Sequence, residues 1–124
     1  MKGIICLLFM LLASSAYAGY EKGTVDVLRM CGTGNTSSNG WIRTLQFKVN
    51  GKWFGTYADY NYSAGSTDYD NSQTTSLVLM AYAQKEVVEV NFTRKWSGEF
   101  TKCGNETGNV FYGEAGDYIQ LSRE

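Results

Sequence analysis

The chain has 124 residues, 11 Lys and Arg against 12 Asp and Glu, 3 Cys, no Pro and no His. A net charge of −1 leaves no basic surplus for phosphate contacts, which excludes nucleic acid as the main partner. The absence of His removes the commonest acid–base group, and no length of the chain beyond its start is apolar enough for a membrane span.

Residues 1–18 read as a signal peptide. Lys2 gives a positive start, 4–12 is a short apolar run, and Ala16-Tyr17-Ala18 fits a small-x-small cleavage site. The mature chain is then a single domain over 19–124, exported and either secreted or periplasmic. Cys6 leaves with the leader, so Cys31 and Cys103 are expected to form one disulfide. Two thiolates alone do not complete a zinc site, and Asp68-Tyr69-Asp70-Asn71 lacks the turn glycine of a calcium loop. No metal and no cofactor is expected.

Residues 23–30, GTVDVLRM, predict a first strand. Val25 and Val27 alternate, then Leu28 and Met30 take over the apolar phase, a one-residue slip that predicts a bulge or bend. Residues 31–40, CGTGNTSSNG, read as a loop by composition.

Residues 41–60, WIRTLQFKVNGKWFGTYADY, predict a hairpin about Asn50-Gly51, since both residues tolerate the positive φ of a type I′ turn. A two-residue turn sets Val49 opposite Lys52, Lys48 opposite Trp53, Phe47 opposite Phe54, Gln46 opposite Gly55, Leu45 opposite Thr56 and Thr44 opposite Tyr57. Alternation then gives a core face with Leu45, Phe47, Val49 and Phe54. The other face carries Ile42, Lys48, Trp53 and Tyr57 and mixes charge with aromatics.

Residues 58–75 show no apolar period and read as an irregular connection rich in Tyr, Ser, Gly and Asn, the composition of adaptable binding loops. Residues 76–86, SLVLMAYAQKE, predict the one helix, with Leu77, Met80, Ala81 and Gln84 on its packing face. Val88, Val90 and Phe92 alternate as a fourth strand. Residues 95–108 are turn-rich, 110–112 predict a minor strand, and 118–122, YIQLS, a last strand with Ile119 and Leu121 inward.

Three strands, a helix and two further strands are the layout of an OB-fold, a small Greek-key barrel: all-β with one short helix. The candidate ligand residues are Trp53, Tyr57, Asp59, Tyr60, Asn61 and Tyr62. Sugar rings present C–H faces that stack on aromatics, while Asp59 and Asn61 take hydroxyls. A solvated loop or a subunit interface explains the same aromatic set. Catalysis is not expected, because neither His nor a free thiol is available in the mature chain.

The passage SLVLMAYAQKEVVEVNF, then KCG, then DYIQLS resembles exported bacterial OB-fold proteins, the cell-binding B subunits of pentameric toxins of the subtilase-cytotoxin and pertussis-like kind. The resemblance covers about the last half of the chain. It implies a homo-oligomer, usually a pentameric ring, that binds a cell-surface glycan or glycoprotein and can carry an enzymatic A subunit. No ligand residue of that family is matched in this sequence, and the disulfide pattern differs. The alternatives are a small periplasmic inhibitor of a hydrolase, of the lysozyme-inhibitor kind, and an interaction module without a soluble ligand.

Overall fold

A computed structural model describes residues 19–36, 40–62, 67–70, 72–111 and 115–123, with side chains described outside 33–36, 40–42, 59–62, 67–70 and 72. The expected signal peptide lies outside the described residues. In chain order the elements are β1 (Tyr20–Thr36), β2 (Gly40–Val49), β3 (Lys52–Tyr62), β4 (Thr67–Asp70), helix α1 (Ser72–Gln84), β5 (Val87–Asn91), β6 (Arg94–Lys95), a 3-10 turn (Gly98–Thr101), β7 (Gly108–Phe111) and β8 (Tyr118–Ser122).

The strands form one curled mixed sheet in the order β6-β7-β3-β2-β1-β5-β8, with β4 also on β3. β1, β2 and β3 form an antiparallel meander, β3 lies parallel to β7, and β1 pairs antiparallel with β5. Only Phe92 and Thr93 separate β5 from β6, and β6 pairs with β7 at the far end of that order. The sheet therefore curls back on itself into an OB-like, partly open barrel.

The hairpin has the predicted register from Thr44–Tyr57 to Val49–Lys52. Asn50 and Gly51 both have positive φ, 51° and 81°, as a type I′ turn requires. Asn50 Nδ2 donates to Lys22 O at 2.6 Å and to Glu21 Oε1 at 3.0 Å, which ties the turn to β1. The slip read in β1 is a register shift between Val25 and Val27. It leaves Val25 and Leu28 on the core and Val27 outside.

Leu45, Phe47, Val49 and Phe54 are all buried, together with Val25, Val78, Ala81, Val88, Val90 and Phe92. Phe92 meets Phe47 and Phe54 edge-on at 6.1 and 5.7 Å between ring centroids, the offset geometry that aromatic quadrupoles favour.

Several expectations need correction. Residues 31–36 continue β1, and 40 begins β2, where composition read a loop. Pairing with β2 at Cys31, Gly32, Asn35 and Thr36, with a register shift between Gly32 and Asn35, holds the backbone extended there against its own composition. The irregular stretch from 58 contains the end of β3, all of β4 and the start of α1. β4 pairs with β3 from Asp59–Asp70 to Tyr62–Thr67, a ladder that the lack of an apolar period in the sequence does not signal.

The helix starts at Ser72, four residues before its predicted start. It ends in a left-handed Lys85, φ 56°, with Glu86 N–H donating to Ala81 O, a Schellman arrangement. Its inward residues are Thr74, Val78 and Ala81, while Met80 and Gln84 face out. The run from Leu77 to Ala83 is apolar almost all round, so its periodicity could not choose a face. Finally, the minor strand read at 110–112 is β7, which starts at Gly108 and is the parallel partner of β3, while β8 flanks β5.

Candidate functional site

Between Thr44 and Tyr57 the face of the hairpin opposite the main core is largely covered. The chain from β6 to β7 folds over it and builds a second apolar cluster of Trp96, Phe100 and Val110, against which Trp53 and Tyr57 pack. Trp53 lies 6.1 Å from Trp96, Tyr57 5.1 Å from Phe100, and Trp96 5.3 Å from Phe100. Gly55 makes room: a Cβ there would sit 2.6 Å from Phe100 Cε1.

The segment is held by polar contacts and a covalent bond. Cys31 and Cys103 are joined in a disulfide, as expected, with their Cα atoms 6.1 Å apart. Gln46 is fully buried opposite Gly55. Its Nε2 donates to Phe100 O at 3.2 Å and Thr44 Oγ1 at 3.1 Å, and its Oε1 accepts from Arg29 Nε at 2.8 Å. A buried amide with both ends satisfied is tolerated in an apolar setting.

Arg29 links these parts. Besides Gln46 it donates to Glu106 Oε1 at 3.0 Å and to Cys103 O at 3.5 Å. Its guanidinium lies over the Trp53 ring, 4.4 Å from the centroid, and Lys48 Nζ stands 5.7 Å from the same ring. The hydrogen bond from Arg29 holds the Glu106 carboxyl below the usual carboxylate range.

Beside this cluster a cleft of about 600 Å³ opens between the start of β3 and the β6–β7 pair. Its lining is Lys52, Trp53, Lys95, Trp96, Thr107, Gly108 and Asn109. Lys52 and Lys95 are exposed at its rim, and Lys52 Nζ lies 3.4 Å from Glu21 Oε2. Gly108 lets the wall close up, since a Cβ there would meet Trp96 Cε3 at 2.8 Å. The cleft thus joins indole surface to ammonium, hydroxyl and amide groups.

Of the predicted ligand residues, Trp53 lines this cleft. Tyr57 lies on the same face but packs on Phe100 and donates to Glu99 Oε2 at 3.4 Å. The expectation that both aromatics stand on a wetted face is corrected: each is half-buried against the 96–106 segment. The side chains of Asp59, Tyr60, Asn61 and Tyr62 lie outside the described residues. Their backbone places them at the end of β3, paired with β4.

Sequence reasoning missed Lys52, Lys95, Trp96, Thr107 and Asn109: Lys95, Trp96 and Thr107 sit in a turn-rich segment without periodicity, Asn109 just after it in β7, and Lys52 beside the hairpin turn. One signal was available. Trp96 and Phe100 are bulky apolar residues close to a disulfide cysteine, in a stretch otherwise made of turn formers. Among the described residues, no group of three or more His, Cys, Asp and Glu stands close enough to hold a metal ion, and no helix is long and apolar enough to cross a membrane. The chain matches no protein-family model, no curated protein and no solved structure.

Proposed function

We propose that this protein is an exported, non-catalytic binding subunit that takes a cell-surface glycan in the Trp53–Trp96 cleft and works as an oligomer. The observation that carries this reading is the lining of the cleft: indole surface ringed by Lys52, Lys95, Thr107 and Asn109. A sugar needs both halves of that chemistry, an apolar surface for its C–H face and polar groups for its hydroxyls. Among the described residues the lining holds no carboxylate, and the chain has no His, which supports binding over hydrolysis. The disulfide supports passage through an oxidising compartment. Several weak sites on one assembly would add avidity at a cell surface.

A glycan array probed with the exported protein tests the reading. Binding to a defined glycan set is expected, weakened at least about tenfold by Trp53→Phe and several-fold by Lys95→Ala. Lys95 is exposed, so Lys95→Ala should melt like the wild type. No binding to any glycan, or binding indifferent to both substitutions, overturns it.

A further inference from the structure

The geometry points to an isologous dimer formed by β8 pairing antiparallel with β8 of a second copy across a twofold axis, which joins the two sheets into one. β8 is the last strand of the sheet order, bonded to β5 on one side, and among the described residues no strand pairs with its other edge. The proposal rests on this edge alone and stands whether or not the Trp53 cleft takes a glycan.

Natural edge strands are guarded against pairing by Lys, Pro, bulges or very short length. β8 has none of these guards. Its five residues are Tyr, Ile, Gln, Leu and Ser, and its register with β5 runs unbroken from Val87–Ser122 to Asn91–Tyr118. The ladder along this edge strand is regular.

Its sequence suits a twofold partner. In a twofold antiparallel pair the opposed residue numbers sum to a constant. The register that pairs all five residues centres on Gln120, with Tyr118 opposite Ser122 and Ile119 opposite Leu121. Ile119 and Leu121 pack against the main core within their own copy. Pairing would set each beside the other's counterpart on the same face, apolar against apolar. The same register brings Asp117, just before the strand, opposite Arg123, just after it. Opposite charges would therefore meet at both ends of the seam, where Asp117 Oδ1 also accepts from Thr93 N and Thr93 Oγ1 within its own copy, at 3.0 and 2.7 Å. Arg123 is largely exposed and reaches Glu86 at only 3.6 Å, so it can turn toward a second partner.

The flank of the strand adds apolar surface. A groove of about 290 Å³ runs between α1 and β8, with Leu77, Met80 and Leu121 as its apolar lining and Gln84, Glu86, Ser122 and Arg123 as its polar one. Met80 is 47% exposed and Leu79 44%, on the outside of the same helix. The twofold sets two such flanks side by side.

Solution mass and cross-linking test the proposal. Light scattering on the exported protein should give twice the monomer mass at tens of micromolar, diluting to monomer. Gln120→Lys sets like charges face to face at the axis and should weaken the dimer at least about tenfold with the melting temperature of the monomer unchanged. Gln120→Cys should yield a disulfide-linked dimer under mild oxidation, because directly opposed strand residues have Cβ atoms roughly 4.5–5.5 Å apart. Lys85→Cys, beyond the end of α1, should not. If Gln120→Lys fails to fold, Arg123→Glu replaces it and should weaken the dimer in the same direction. A monomer at all concentrations, a ring of five, or a dimer that neither yields to Gln120→Lys nor cross-links through position 120 overturns the proposal. Loss of the dimer with glycan binding per chain retained leaves the cleft reading standing; the reverse result separates them the other way.

Discussion

The Arg29 guanidinium lies 4.4 Å from the centroid of the Trp53 ring while its Nε donates to the buried Gln46 at 2.8 Å. One side chain of β1 thus spans the hairpin's second face, from the indole of the cleft to the amide beneath the 3-10 turn. Arg29→Lys keeps the charge and loses the planar fork and the ring contact, so it is not a conservative change. The expected cost is about 1.5–3 kcal/mol, the range for hydrogen bonds to charged groups. Urea unfolding followed by tryptophan fluorescence reads both the loss and the altered setting of Trp53. A change within about 0.5 kcal/mol would mean that the contacts of Arg29 are replaced by water without penalty.

Gly55 faces Gln46 across the hairpin, and Phe100 occupies the space where its side chain would be. Gly55→Ala should destabilise by about 1–3 kcal/mol through overpacking, even though alanine suits a strand better than glycine does. Double substitution with Phe100→Leu should recover part of that loss. A stabilised Gly55→Ala variant would show that the 3-10 turn does not sit down on the hairpin.

The acid limb of stability should report Glu106. Its folded carboxyl titrates below the ordinary 4.5, chiefly through the hydrogen bond from Arg29. A group whose pKa is lowered by folding stabilises the fold above its unfolded pKa, and that share is lost as the pH falls through the lower, folded value. Urea midpoints should therefore decline below about pH 4.5, and Glu106→Gln should flatten that decline while lowering stability at neutral pH. Identical acid limbs in wild type and variant would assign the decline to other carboxylates.

From Thr44–Tyr57 to the turn the hairpin was legible residue by residue, because Asn50-Gly51 admits only a tight turn and a tight turn fixes the register beside it; the register shift between Arg43 and Thr44 was not. The disulfide followed from the count of cysteines beyond the expected leader. The bulge in β1 was written in the shift of apolar phase from Val27 to Leu28, and the strand at 87–91 in its strict alternation. These features are local, and their physics acts within a few neighbouring residues.

What only the tertiary structure decided depends on partners distant in the chain. Whether Gly and Thr of 31–36 extend or loop depends on β2 being there to take their hydrogen bonds. The helix run from Leu77 to Ala83 is apolar almost all round, so the barrel, not the sequence period, turned Val78 and Ala81 inward and Met80 outward. Trp53 and Tyr57 looked like ligand aromatics because alternation places them opposite the core, and a strand pattern cannot tell water from a second layer. The segment 96–106 supplies that layer through Trp96, Phe100 and the Cys31–Cys103 bridge. Its bulky residues follow no period, so nothing in the order of residues shows that it folds back over the hairpin and opens the cleft at Trp53.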